Sequence, residues 1–299
     1  MSRPATQSSL DDANKIIEEQ LDNQIEKLEK KLSGDVLTYK GNIIQPASDL
    51  IRDAIESKNK KREKLVVVLE TSGGYIEVAQ RIAETFHHHY RVVEFIIPNF
   101  AMSAGTVLVM SGYAFFMDYY SVLGPIDPQI LRPNGMWIPA LGYLEQYNRF
   151  IERSKKGLLS TAEMAFLIQK FDPAELYRYE QERELSISLL KEWLVKYKFK
   201  NWVRTKTHNK VVTQGMKSRR ASQVAKILND TERWHSHGRG ISMDVLRNDV
   251  KLQIEDFGND PDLNAKIRSY YKLLTDYMMR RNQDIVLHIL NRYTGFGST

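Results

Sequence analysis

Residues 65–69, Leu-Val-Val-Val-Leu, form an unbroken aliphatic run, the pattern of a strand buried on both faces in a parallel sheet. A second such run extends from Val92 to Ile97. Between them, Ile76, Ala79, Ile82, Ala83 and Phe86 recur at helical spacing within Tyr75 to His89. Strand, helix, strand in that order predicts a β-α-β crossover of right-handed sense. A short apolar helix over Val107 to Met110, ended by Ser111-Gly112, then leads to a third strand, Ala114 to Met117, and a turn from Ser121 to Gln129.

The flanks read as helical. Ile17, Leu21, Ile25, Leu28 and Leu32 lie four and three apart, so one apolar stripe runs along a helix that Gly34 can end. That stripe either packs on its own domain or forms an oligomer contact. Val36 to Tyr39 reads as a short strand and Ala47 to Ile55 as a helix. Beyond Pro139, Ser160 with Glu163 makes a capping box, and Asp172-Pro173 an N-cap followed by proline at the first helical position. Leu176, Leu185, Leu189, Trp193 and Leu194 mark the long helix behind it. The chain thus divides into a disordered N-terminus (1–10), an N-terminal helix, short strand and helix (11–60), a core (61–145), a helical basic segment (146–230) and a C-terminal part with a terminal helix (231–299).

Composition narrows the class. The 299 residues are 42% hydrophobic, enough for a sizeable core. Cysteine is absent, which excludes disulfides, a thiol nucleophile and cysteine-built zinc sites and fits a cytoplasmic setting. No stretch reaches the roughly 18 apolar residues of a membrane span, and no metal or cofactor is expected. His87 to His89 sit consecutively on a helix, where neighbours point about 100° apart and cannot chelate one ion; they read as surface. The net charge of +6 is unevenly spread: from Lys191 to Lys226 eleven basic residues face one acid, Glu192. Trp193, Tyr197, Phe199 and Trp202 interleave them, so nucleic-acid binding is a remote alternative in which these rings stack bases. Core packing is the plainer use of the same rings.

Two turns carry the candidate chemistry. Ser72-Gly73-Gly74 and the block Ala101 to Thr106 each follow a strand on the same side of the β-α-β unit, at the carboxyl ends where ligands bind in such sheets. Glycine allows backbone N–H groups to approach a substrate, and Ser103 stands at a helix start, beside its positive end. The same serine also reads as a small N-cap that lets the helix pack closely.

Four ordered blocks remove much of that ambiguity: Ser72-Gly73-Gly74; Ala101-Met102-Ser103-Ala104-Gly105-Thr106; Leu123-Gly124-Pro125-Ile126-Asp127-Pro128-Gln129; and Trp234-His235-Ser236-His237-Gly238-Arg239-Gly240-Ile241-Ser242. Through them the chain resembles the SDH-type Clp-fold serine proteinases, relatives of the signal peptide peptidase SppA and of ClpP. The resemblance implies an α/β fold of Clp/crotonase-like repeated β-β-α units on a parallel sheet, with helical additions at the N-terminus and in the C-terminal half. It also implies a serine peptidase: Ser103 as acyl-forming nucleophile, with Gly73 or Gly74 and Ala104 as backbone oxyanion donors.

A serine nucleophile needs a base. Where ClpP carries its histidine this chain reads Pro125-Ile126-Asp127, and where ClpP carries its aspartate it offers Trp234, so a ClpP-type triad is not intact. Lys155 or Lys156 could serve in a Ser-Lys dyad of the SppA kind, given burial that lowers a lysine pKa. His237 oriented by Asp127 is the other arrangement. Each has a plain counterpart: Asp127 as a turn former before Pro128, His237 as a loop brace, the lysines as solvated helix face. Arg239 could pair a substrate carboxylate or brace its loop. The resemblance implies a polypeptide substrate and a homo-oligomer. Because no G-x-x-x-x-G-K loop is present, any unfoldase or accessory protein would be a separate chain. A catalytically inactive assembly or binding protein is the alternative.

Overall fold

The computed structural model describes residues 7–126, 129–131, 137–205, 207–234, 236 and 238–297. Helix α1 (Gln7–Leu32) is followed by β1 (Asp35–Lys40), α2 (Ala47–Glu56), β2 (Lys64–Glu70), α3 (Ile76–His89) and β3 (Val92–Ile96). Then come β4 (Phe100–Ala101), α4 (Ala104–Val109), β5 (Ala114–Met117), β6 (Val122–Leu123), β7 (Gln129–Leu131) and β8 (Trp137–Pro139). Helices α5 (Ala140–Lys155), α6 (Thr161–Lys170) and α7 (Pro173–Trp193) follow, α7 running into a π-helical turn at Leu194–Lys198. The chain closes with α8 (Gln214–Leu228), α9 (Thr231–Trp234), β9 (Ile241–Ser242), α10 (Met243–Asn248), β10 (Glu255–Asp256), α11 (Pro261–Arg280), β11 (Ile285–Ile289) and β12 (Arg292–Phe296).

The main sheet has the order β10-β5-β3-β2-β1-β11-β12. Its pairings from β10 to β1 are parallel, and β11 and β12 add antiparallel. The aliphatic run of β2 is buried on both faces, as its sequence requires: Leu65, Val67 and Leu69 enter one core with α2, α3, α4, α7 and α8, while Val66 and Val68 enter the other with α1 and α11. Leu21, Ile25 and Leu28 of α1 are fully buried in that second core. The N-terminal stripe therefore packs on its own domain. Each side chain so buried stabilises by about 1.5–3 kcal/mol.

The repeated unit is visible in the connections. Thr71, just past β2, bridges Ala101 in parallel, and β4, just past β3, pairs in parallel with β6, just past β5. Long strand, short strand, helix is thus the repeat for β3, β4 and α4. The short strands form a second sheet, β4-β6-β9, lying at the carboxyl ends of the first. Among the described residues no helix is long and apolar enough to cross a membrane.

Candidate active site

The carboxyl edge is assembled from backbone hydrogen bonds. Thr71 N–H donates to Phe100 O (3.2 Å) and Met102 N–H to Thr71 O (2.9 Å), which draws the segment entering Ser103 alongside the segment leaving β2. On the other side, Ile43 N–H donates to Gly73 O (2.8 Å) and Tyr75 N–H to Ile43 O (2.9 Å). Gly74 is the bridge partner of Ile43, so its own peptide N–H is directed away from Ile43.

Both glycines are required by close approach. A Cβ on Gly74, at φ +147°, would lie 2.2 Å from Ile43 O, where no side chain fits. On Gly73, at φ +105°, it would lie 2.8 Å from the Cβ of Ser103 and 3.0 Å from Met102 O. Gly73 is therefore the floor on which Ser103 rests.

Ser103 occupies a sharp elbow between β4 and α4, with φ +50° and ψ −117°. A β-carbon-bearing residue in such a region costs on the order of 1–3 kcal/mol and persists only where its surroundings enforce it. The enforcing contacts come from Thr106, which is fully buried. Its hydroxyl donates toward Ala101 O (2.9 Å) and Gly124 O (2.8 Å) and accepts from Gly124 N–H (3.1 Å). One side chain thereby ties the segment before Ser103, the helix after it and the turn following β6. Ser103 stands at the N-cap position of α4, yet its side chain makes no cap hydrogen bond. The simple capping role left open by the sequence does not apply.

Two backbone N–H groups lie near the elbow, that of Ala104, next to Ser103, and that of Gly74, next to Gly73. Ala104 opens α4, and first-turn N–H groups have no partner within their own helix. Of the two glycines, Gly73 gives its N–H to Thr71 Oγ1 (3.0 Å), which leaves Gly74 as the donor directed away from the paired strand. Thr71 and Thr106 are positioning residues that the sequence reading passed over. Their signal was a threonine within or directly beside each small-residue block.

The candidate bases are distributed as follows. Asp127 and His237 lie outside the described residues. Lys155 ends α5, exposed, with its ammonium 2.7 Å from Glu152; Lys156 is exposed just beyond. Neither is buried. Burial pushes the Lys198 ammonium down to about 8; it lies 4.1 Å from the centroid of Phe115, in mid-strand of β5. Arg239 is exposed in the loop before β9, its guanidinium 6.0 Å from the Trp234 ring.

His87 departs from the expected surface position. Its ring stacks on Tyr197 at 3.7 Å and its Nε2 lies 2.9 Å from Ser111 O. Burial pushes its pKa down to about 4, so it is neutral near pH 7, and the carbonyl partner puts the proton on Nε2. Trp193, Tyr197 and Phe199 are buried in the core, which removes them as platforms for nucleobases.

A cavity of about 360 Å³ opens beside Ser72, bounded by Lys40, Glu70, Phe100 and Phe296. The Lys40 ammonium is 2.7 Å from the Glu70 carboxylate, and Tyr271 donates to the same carboxylate at 2.5 Å. This closed pair anchors α11 to the carboxyl ends of β1 and β2.

Residues 35–158 match the family described as ClpP-like SDH-type serine proteinase. Two uncharacterized proteins of Methanocaldococcus jannaschii are similar in sequence. One is 33% identical over 92 residues, 31% of this chain and 32% of the relative; the other is 28% identical over 134 residues, 41% and 43%. The chain thus spans less than half the length of these relatives. Among solved structures, the 1510-N membrane-bound stomatin-specific protease, as a variant bound to a substrate peptide, aligns with 15% identity and a TM-score of 0.43 over 88% of this chain and 87% of that one. The ClpP catalytic domain from Plasmodium falciparum aligns with 12% identity and a TM-score of 0.28 over 41% and 63%.

Proposed function

We propose that this chain, whose residues 35–158 match the family described as ClpP-like SDH-type serine proteinase, cleaves polypeptides through an acyl-enzyme on Ser103. The observation that carries this reading is the strained elbow at Ser103, held over Gly73 by Thr106; the Gly74 and Ala104 N–H groups are proposed as its oxyanion donors. In the proposed reaction the Ser103 hydroxyl attacks the scissile carbonyl and loses its proton to a base. The resulting oxyanion is held by the two N–H groups, collapse expels the leaving amine with the proton returned from the base, and water then hydrolyses the acyl-enzyme, releasing the new carboxylate and restoring the Ser103 hydroxyl. Each such donor supplies on the order of 3 kcal/mol. The base is proposed among His237 with Asp127, Lys155 and Lys156; substrate binding is proposed to involve Arg239.

Self-association belongs to the same proposal. No residue of α6 is buried, and Leu158, Phe166 and Ile168 are 62%, 48% and 72% exposed, apolar surface suited to covering by another copy. A cytoplasmic setting and a separate unfoldase fit this reading.

Intact-mass analysis after treatment with a fluorophosphonate tests it. The expected result is one adduct per chain, abolished in Ser103→Ala and lost or slowed on substituting whichever base operates. An unreactive Ser103 in every assembly state would overturn the peptidase reading and leave a binding protein on the same fold.

A further inference from the structure

A second cavity, of about 620 Å³, lies between the end of α7 with its π-helical turn and the N-terminal half of α8. Its walls are built by helical spacing. Gln214, Ser218 and Ser222 stand four apart on α8, so their amide and hydroxyl groups share one face. Opposite them, Lys191 and Val195 form one four-residue step and Glu192 and Lys196 another.

The charge in this lining is unbalanced. Lys191, Lys196, Lys200 and Lys217 bring four ammonium groups, and the described residues of the lining hold a single carboxylate, Glu192. That carboxylate is 4.0 Å from Lys196, with both side chains more than half exposed, so it offsets little of the field. Two of the cations are fixed: Lys200 Nζ donates to Tyr113 OH (3.1 Å) and Lys217 Nζ to Lys200 O (2.9 Å). Like charges held around one cavity repel, and an anion entering between them removes that repulsion.

The donors select the anion. Ammonium groups interleaved with hydroxyl and amide donors suit tetrahedral oxyanions, and a row of them along two helices suits several oxyanions in line. No aromatic residue is among the described residues that line the cavity, so its walls offer no ring to a nucleobase. The volume falls in the range of small-ligand sites. We propose that this cavity binds a short phosphate chain, read through its phosphates alone, whether free oligophosphate or the tail of a nucleotide. The site is independent of Ser103.

Calorimetric titration of the full chain with sodium tripolyphosphate tests the inference. One equivalent should bind with an affinity that falls as salt rises. The double substitution Lys191→Gln with Lys196→Gln should weaken it at least tenfold, and Ser218→Ala with Ser222→Ala several-fold. Lys15→Gln with Lys27→Gln, which removes the same charge from exposed positions on α1, should leave it unchanged. ATP should bind within a few-fold of tripolyphosphate. No binding, equal loss in the α1 control, or intact binding in the cavity variant would overturn the proposal. So would a large preference for ATP, which requires base recognition, or for a single-stranded oligonucleotide, which requires an extended groove.

Discussion

Substituting Gly73→Ala separates the geometry of the elbow from the stability of the fold. The added methyl would sit 2.8 Å from the Cβ of Ser103, about 0.7 Å inside the closest favourable carbon separation. The neighbours on the other side are Met102 O at 3.0 Å and Ala104 N at 3.5 Å, both backbone, so the contact cannot be relieved by a side-chain rotation. Alanine at φ +105° adds strain on the order of 1–3 kcal/mol, which for a chain of this length lowers Tm by roughly 2–8 °C. The displacement falls on the proposed nucleophile, and a misplacement near 1 Å costs on the order of 10²-fold in rate. The assay is the second-order rate of fluorophosphonate labelling, followed by intact mass, beside a thermal melt. Gly142→Ala is the control: on α5, with nothing within 4 Å of the added methyl, it should leave labelling unchanged and Tm level or slightly raised. A Gly73→Ala protein that labels within about threefold of the wild-type rate would refute the reasoning that Gly73 sets the position of Ser103. A Tm unchanged to within 1 °C or so would refute the strain argument, whatever the chemistry at Ser103.

Thr106→Val keeps shape while deleting the hydroxyl that bonds Ala101 O, Gly124 O and Gly124 N–H; stability in urea should fall by about 1–3 kcal/mol, and a loss below about 0.5 kcal/mol would show that the neighbouring backbone groups re-pair without it. His87 binds its proton in the unfolded chain near pH 6.5 but in the fold only near pH 4, because burial disfavours the charged ring. The unfolded state therefore holds more protons between those values, and stability rises with pH across that window. His87→Phe keeps a ring against Tyr197 and should flatten that part of the Tm-versus-pH curve; an unchanged slope would assign it to other groups.

The sheet and its helices were readable because their signals are local and repeated. Five consecutive aliphatic residues at β2 can be buried only between two cores, and the four-three spacing of Leu21, Ile25 and Leu28 can be buried only as one helical stripe. The elements that escaped reading are those whose reason is distant. Each of β4, β6 and β9 is two residues long, too short for any periodicity, and exists because it finds a partner in another part of the chain. Strand β11 carries fully buried His288 as its fourth residue, which interrupts the apolar pattern. That histidine is accommodated by Tyr270 at 2.9 Å and Asp22 at 3.2 Å, both far away in sequence.

The same distinction runs through the candidate site. A nucleophile elbow is written in contiguous residues, because a strand that turns sharply into a helix against another backbone needs small residues at fixed steps. Ser72-Gly73-Gly74 and Ala101 to Thr106 supply them, and even the positioning hydroxyls of Thr71 and Thr106 fall within or beside these blocks. A base obeys no such local rule. It must only bring one nitrogen within hydrogen-bond reach of Ser103 in a setting that adjusts its pKa, and any loop folding back over the carboxyl edge can do so. Lys198 shows why residue type and pKa are not enough: burial brings its ammonium to about 8, yet its place is against Phe115 in the middle of a strand. Lys155 has the converse standing, a residue of the right type on an exposed helix end, closed on Glu152. Position 127 follows β6 in the chain and position 237 precedes β9, two neighbouring strands of the small sheet that also contains β4, whereas Lys155 ends α5. Labelling rates of His237→Ala and Lys155→Ala measured side by side therefore decide between a base from the segments beside the small sheet and one from α5.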